Sequence, residues 1–470
     1  MTVSTISAIA IDTGTTSIKA CLLDQDGELK HIVTRSAPEI TVSGGRYESD
    51  ALAYAETTEQ VLNECVAHAG DCRVLGLCSQ RSSFLVWEKS SGKPLTPLIS
   101  WQDNRGMASC EALRAHEKSI RNFTGLPLTP YYFGPKLRIL LLDNPGWLAR
   151  LESSELLVGT LDTFLIWRWS GGKHHVTDAS MAARTLLMDI RLQQWSPALC
   201  DLFDIPLHIL PQIMSSAAMD LRLDNGLFLT ASVGDQSAAL YASVREVQAE
   251  ALANLGTGCF VVRYLPERDV ALEKAASYGY LKTLVYQDDR HLPHLAIEGT
   301  LNSIAVALAP YPVDECRPED LAQDGMFCLA EPSGIGAPYF RGDIGIRFSH
   351  PVDHLPQRRI AVLLLEAVIF RVARILEDFH SESPIERVYL SGGLSELTCL
   401  QQGIARCVPF DVYRLRQSES SLQGAALLAA GMEQACCRES KKISISDDAP
   451  ALAEKYRRWK EWLDVLLDFR

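Results

Sequence analysis

Apolar and polar positions alternate through residues 8 to about 35, and the alternation breaks at Gly14 and again at Asp24-Gln25-Asp26-Gly27. A period of two with turn residues at the breaks predicts consecutive antiparallel strands. Over residues 50–68 the period lengthens to that of an amphipathic helix, with Ser49 or Asp50 as its cap. Val74-Leu75-Gly76-Leu77-Cys78 and Ser83-Phe84-Leu85-Val86-Trp87 read as short strands around a polar turn containing Gln80 and Arg81. Strands alternating with helices over such a length indicate an α/β fold. Residues 106–220 are richer in helix and irregular connections. Residues 227–233 predict a buried strand ending at Gly234-Asp235-Gln236, and Ser237-Ala238-Ala239-Leu240 starts a helix. Farther on come a hairpin at 251–264, a long helix at about 356–379 and a strand at Val388-Tyr389-Leu390 that leads into Ser391-Gly392-Gly393. A small-residue helix follows at 424–431. Residues 438–448 are polar and predict a loose linker, and 451–470 a terminal helix with Tyr456, Trp459, Leu463 and Leu466 on one face.

Two of these hairpins share one plan. Residues 8–19 read AIAIDTGTTSIK and residues 251–262 read ALANLGTGCFVV. Each is an apolar run, a Gly/Thr turn and a second apolar run. Small residues let backbone approach an anion, and successive N–H groups make an anion nest. Two such turns facing each other across a cleft would hold a polyphosphate from both sides. Asp12 adds a carboxylate suited to the magnesium of a nucleotide. Taken alone, an Asp-x-Gly turn is as well read as a carboxylate capping its own hairpin; the matching second hairpin favours function. The pattern predicts an ATP-dependent phosphotransferase with two related halves. No Gly-x-x-x-x-Gly-Lys-Ser/Thr follows the first strand, which argues against a Walker-type enzyme.

The chain has 470 residues, enough for two domains of ordinary size, and 47% hydrophobic with 22% charged residues is the balance of a globular protein. A formal net charge of −13 argues against nucleic acid or an anionic membrane as partner, but not against ATP. Thirteen cysteines form no Cys-x-x-Cys pair, and the adjacent Cys436-Cys437 is isolated. Reduced thiols of a cytoplasmic protein are expected, not a disulfide scaffold or zinc site. The first ten residues lack the basic segment of a signal peptide, and no apolar stretch is long enough to span a bilayer. The division is placed just before the strand at 227: an N-terminal domain over 1–226, a C-terminal domain over 227–436, and a linker with terminal helix over 437–470. The sequence does not set the oligomeric state, a homodimer included.

The ordered set of Asp12-Thr13-Gly14-Thr15-Thr16, Trp101-Gln102-Asp103-Asn104-Arg105, Gly234-Asp235-Gln236, Gly256-Thr257-Gly258-Cys259-Phe260 and Glu298-Gly299 continues with Ala337-Pro338-Tyr339, Ser391-Gly392-Gly393 and Gly424-Ala425-Ala426. It resembles the FGGY carbohydrate kinases over about residues 8–431. Ser79-Gln80-Arg81, Gly92-Lys93-Pro94-Leu95 and the Gly-Thr-Gly-Cys-Phe run are similar to the glycerol kinase branch. The resemblance implies an α/β, two-domain actin/hexokinase-like fold of duplicated ribonuclease H-like domains with an interdomain cleft. It implies ATP and Mg2+ and a small sugar or polyol as substrate. Asp235 aligns with the catalytic base. A carboxylate at a strand end can orient a hydroxyl and accept its proton, and a helix N-terminus favours its ionised form. The plainer reading of a lone Gly-Asp before a helix is an N-cap. Arg81, Trp101, Tyr131 and Phe260 align with the polyol pocket, Gln236 with a hydroxyl ligand, and Asp12 with Asp235 as metal ligands. Lone aromatics such as Trp101 and Phe260 are more often core. Thr13, Gly14, Thr15, Thr16, Lys19, Gly256, Thr257, Gly258, Gly392 and Gly393 fall to the nucleotide, although Lys19 also reads as the exposed face of a strand.

Departures from the pattern bear on the substrate. Ser82 stands where glycerol kinases have a glutamate, so a larger polyol than glycerol is expected, with glycerol itself the alternative. The family's Lys-x-x-Trp appears as Lys136-Leu137-Arg138-Ile139, without the tryptophan. The asparagine usual after Gly-Gly is missing from Leu394-Ser395-Glu396-Leu397-Thr398, so adenine recognition is expected to be looser or to use backbone groups. A weakened relative serving as a sugar or nucleotide sensor is the competing reading, and the presence of both Asp12 and Asp235 argues against it.

Overall fold

The computed structural model describes residues 5–245, 249–265, 279–416, 419–433, 440–445 and 450–468. It has two compact units. The first takes in Met1–Ala242, Lys282–Leu295 and Glu419–Ala435. Its strands β1 (Ile6–Thr13), β2 (Ser17–Asp24) and β3 (Leu29–Ser36) are the predicted antiparallel run. Helix α1 (Ala51–Val66) is capped by Asp50, whose carboxylate accepts the Ala53 N–H at 2.9 Å. Strand β4 (Val74–Ser79) lies parallel to β1, and β6 (Phe228–Gly234) parallel to β4 with the short β5 (Leu221–Arg222) at its edge. The order across the sheet is β5-β6-β4-β1-β2-β3.

Both faces of this sheet are covered, and the two-residue period decides what each face meets. Ile9, Ile11, Ala20 and Leu22 pack with Tyr54, Ala55, Val61 and Leu62 of α1. Ala8, Ala10, Cys21 and Leu23 face the other way, against Ala425, Ala426 and Ala429 of the helix Ser420–Ala429. The second contact is close. A methyl at Gly76 would sit 2.3 Å from the Ala425 carbonyl oxygen, and one at Gly424 would sit 1.9 Å from that of Ala238. The run of small residues at 424–431 is the requirement of that approach. Helix α2 (Asp235–Ser243) begins at Asp235 itself, two residues before the predicted start. Because β6 pairs with β4, residues 228–242 lie in the first unit, as does Ser420–Ala429; the sequence had divided the chain at 226/227.

The second unit comprises Ser243–Leu281, Ala296–Ser418 and Cys436–Arg470. Strands β7 (Glu250–Leu255) and β8 (Cys259–Leu265) form its hairpin. Strand β9 (Leu281–Gln287) falls almost wholly in the Lys282–Leu295 segment of the first unit, while β10 (Pro293–Leu301), β11 (Arg387–Ser391), β12 (Asp411–Leu415) and β13 (Ser440–Lys442) extend the hairpin in the order β10-β8-β7-β11-β12-β13. Helix α3 (Gln357–Glu382) is buried along most of its length. The stretch expected as a loose linker contains β13, an edge strand paired with β12, where polar residues are tolerated because one side faces solvent. Cys436-Cys437 lies outside the described residues. Helix α4 (Pro450–Leu466) buries Leu452, Tyr456, Trp459 and Leu463 and leaves Leu466 half-buried. The Trp459 indole donates to the Cys328 carbonyl at 2.9 Å, and buried Lys455 pairs with Glu366 at 2.6 Å.

Candidate active site

Strands β4, β1 and β6 are parallel neighbours whose ends are level: Thr13 and Gly234 both stand opposite Ser79. Each runs directly into a segment singled out from the sequence: Gly14–Thr16, Gln80–Ser82 and Asp235–Gln236. Ligand sites of open α/β sheets form at such carboxyl ends. Asp12, one residue before the end of β1, keeps a partly exposed edge, but its Oδ1 is enclosed and has no hydrogen-bond partner among the described residues. Burial and then the charge of Asp235 push its carboxyl up to about 7, against a hydrogen bond from Cys78 and the charge of Lys19. The Asp235 Oδ1 accepts the Gln236 N–H at 2.7 Å and lies 3.5 Å from Arg81 Nε. Arg81 lies across Gly234 so closely that a methyl there would fall 2.8 Å from its Cγ and Cδ. The Gly234 N–H donates to Ser180 Oγ at 2.9 Å, which holds the strand end just before Asp235.

Trp101 and Tyr131 are exposed, not core, and meet edge to face with ring centres 6.3 Å apart. The Trp101 indole N–H donates to Thr15 Oγ1 at 3.1 Å, and its backbone N–H donates to Ser83 Oγ at 3.0 Å. Ser83 Oγ donates to Gln80 Oε1 at 2.8 Å. Gln80 Nε2 reaches the Gly14 carbonyl at 3.4 Å and the Tyr54 hydroxyl at 3.3 Å, and that hydroxyl donates to Gly14 O at 2.6 Å. One hydrogen-bonded ring thus joins the Gly14–Thr16 turn to the segment carrying Trp101. Tyr54 and Ser83 were not singled out from the sequence. The available signals were a tyrosine on the buried face of α1 and a run of polar residues directly after a buried strand.

Three expected residues are occupied otherwise. Thr13 is buried and its hydroxyl donates to the Cys78 carbonyl at 3.1 Å, a tie between β1 and β4. Lys19 pairs with Glu419 at 2.6 Å. Ser82 is buried at a φ of 65°, and its hydroxyl donates to the Arg184 carbonyl at 2.8 Å. Thr16 is exposed at the turn.

In the second unit the Gly256 N–H donates to the Gly258 carbonyl at 2.8 Å, which closes the turn with Thr257 exposed at its tip. Phe260 is half-buried and pairs across the hairpin with Asn254. Asn254 stands opposite Ser391 of the parallel β11. Gly392 follows with a φ of 83°; a methyl there would meet the Leu255 carbonyl oxygen at 2.4 Å and Asn254 Oδ1 at 2.5 Å. Around Gly393 the space is open. Among the described residues no cluster of three or more His, Cys, Asp or Glu side chains could hold a metal, and no helix is long and apolar enough to cross a membrane. Magnesium keeps several waters and needs only one or two carboxylates, so the enclosed Asp12 oxygen fits it.

Comparison with known proteins bears on the family and the fold. Residues 7–229 match the N-terminal domain, and residues 251–432 the C-terminal domain, of the FGGY family of carbohydrate kinases. The chain is 30% identical to a glycerol kinase of Haemophilus influenzae, with 96% of each chain covered, and 29% identical to glycerol kinase 1 of Streptomyces avermitilis, with 96% and 92% covered. Its fold superposes on the Plasmodium falciparum glycerol kinase with ADP at a TM-score of 0.85 and 21% identity, and on a ligand-bound xylulose kinase from Lactobacillus acidophilus at 0.79 and 20%, covering 98% of each chain in both cases. The chain therefore belongs to the FGGY family of carbohydrate kinases, with the actin/hexokinase-like fold, and phosphorylates a sugar or polyol hydroxyl at the expense of ATP.

Proposed function

We propose that the acceptor is a four- or five-carbon polyol or sugar and that Asp235 is the base. The observation that carries the reading is the convergence of Asp12 and Asp235 at the ends of β1 and β6. Burial and the charge of Asp235 together lift the Asp12 carboxyl to about 7, a strain that a divalent cation would relieve. Asp12 Oδ1 and Asp235 would hold Mg2+, which when bound neutralises charge on the ATP phosphates. Arg81 Nε lies 3.5 Å from Asp235 Oδ1. Asp235 then accepts the proton of the acceptor hydroxyl while the oxygen–phosphorus bond forms and ADP leaves. Trp101, Tyr131 and Phe260 cover the C–H side of the acceptor, and Arg81 and Gln236 serve its hydroxyls. Gly14, Thr15, Thr16 and the Gly256-Thr257-Gly258 turn take phosphate oxygens, and Gly392-Gly393 the adenosine.

The size of the acceptor follows from Ser82. A glutamate accepts from two hydroxyls, whereas this serine is short and already donates its proton to a carbonyl. A small triol loses a large share of its binding; a longer chain has further hydroxyls to compensate. A coupled ADP-release assay with glycerol, erythritol, xylulose and ribulose tests both statements. Faster turnover on a four- or five-carbon substrate is expected. Fastest turnover on glycerol would overturn the substrate, and ADP release indifferent to every acceptor would overturn this substrate class.

A further inference from the structure

Lys136 lies in the helix Phe133–Asp143 and is entirely buried. An ammonium group is costly to bury and persists only where its donors are used. Its Nζ donates to the Ser100 carbonyl at 2.8 Å and to the Ser82 carbonyl at 3.2 Å. The ring of Phe84 lies 5.8 Å away. Burial, seconded by the charge of Arg105, outweighs the attraction of Asp103 and brings Lys136 down to about 7. Asp103 is itself bound to Arg105 and to the Tyr47 N–H, so the direct partners of the ammonium are the two carbonyls.

Those carbonyls have particular addresses. Ser82 follows Arg81, and Ser100 precedes Trp101. Ser82 also holds a left-handed φ of 65°, a conformation that a residue with a side chain keeps only where its surroundings enforce it. Two bonds enforce it here: Ser82 Oγ to the Arg184 carbonyl, and Lys136 Nζ to Ser82 O. One side chain thus spans the two segments that carry the guanidinium and the exposed indole of the site. We propose that Lys136 is a positioning residue that fixes Arg81 against Trp101 and so sets the width of the acceptor pocket. The proposal rests on the assignment of Arg81 and Trp101 to the acceptor.

The test separates acceptor from nucleotide. With the fastest of glycerol, erythritol, xylulose and ribulose, Lys136→Met should raise the acceptor KM on the order of tenfold while the ATP KM stays within about twofold. The charged ammonium is the stronger donor and is present below about pH 7. The acceptor KM of the parent should therefore rise as pH increases through that value, and in Lys136→Met this component should be absent. Equal rises in both KM values, or no rise in either, would overturn the proposal. Should Lys136→Met fail to fold, Lys136→Arg, whose planar head cannot reproduce both bonds, must show the same split. If no acceptor supports turnover, the assignment of the substrate fails, and Lys136 is judged by hydrogen exchange. Faster exchange at the Ser83 and Trp101 amides in the variant, with β7 and β8 unchanged, supports it; unchanged exchange at those amides overturns it.

Discussion

The hairpins β1–β2 and β7–β8 share one plan and differ in the residues set around their turns. Each has a parallel strand beside its first arm, β4 in one unit and β11 in the other, and each turn is built from Gly and Thr. In the first, the residue two places before the turn glycine is Asp12; in the second it is Asn254. The parallel neighbour of the first runs on into Gln80, which hydrogen-bonds the turn, and that of the second runs on from Ser391 into Gly392, which packs against it at backbone distance. Thr15 is bonded to Trp101, while Thr257 stands exposed. Under the proposed assignments the difference shows how a duplicated fold divides its labour: both turns are offered to phosphate, and only the first hairpin carries a carboxylate and a hydrogen bond to Trp101.

The sharpest way to break that division is Asp235→Asn. The amide cannot take the acceptor proton, and both turns are untouched. Turnover should fall on the order of a hundred- to ten-thousandfold, with ATP binding by calorimetry nearly unchanged. Turnover within a few-fold of the parent would remove Asp235 from the chemistry.

Next comes specificity. Ser82→Glu restores an ionised acceptor on the first unit, where a bond to a charged group contributes about 1.5–3 kcal/mol. The ratio of kcat/KM for glycerol over the best longer acceptor should rise by about one order of magnitude or more. An unmoved ratio would show that Ser82 does not decide size. Gly392→Ala probes the other hairpin. At a φ of 83° and 2.4 Å from the Leu255 carbonyl oxygen, the methyl must displace the base of the second turn. The ATP KM should rise several-fold, with acceptor KM and the thermal midpoint of the first unit little changed. The smallest effect is expected from Trp101→Phe, which keeps the ring and removes the N–H to Thr15: a change of a few-fold, shared between the KM values for ATP and acceptor because the bond joins the two sides.

What the sequence disclosed follows from range. The strands of β1–β3, helix α1 with its Asp50 cap and both hairpins rest on local periodicity and turn chemistry, and they stand where expected. The extent of the first unit did not, because β6 joins β4 across roughly 150 residues and the helix Ser420–Ala429 returns to pack on β1. Its small residues announced a close approach without naming the partner. Of the residues proposed for the site, Asp12 was suggested by its hairpin and Asp235 by its strand end, while Arg81, Trp101 and Tyr131 came from the resemblance to the family. The work of Gln80, Tyr54, Ser83 and Lys136 could not, since it consists of single bonds between segments far apart in the chain. Thr13 and Lys19 had the right chemistry for a nucleotide, but a neighbouring strand and Glu419 engage them.

The asymmetry between the two hairpins is tested most directly by titrating magnesium against turnover in the parent and in Asp12→Asn, which gives the first hairpin the side chain of the second. The metal curve of the variant should shift to higher magnesium and reach a lower plateau, with acceptor KM little altered. Superimposable curves would place the metal elsewhere and contradict the account.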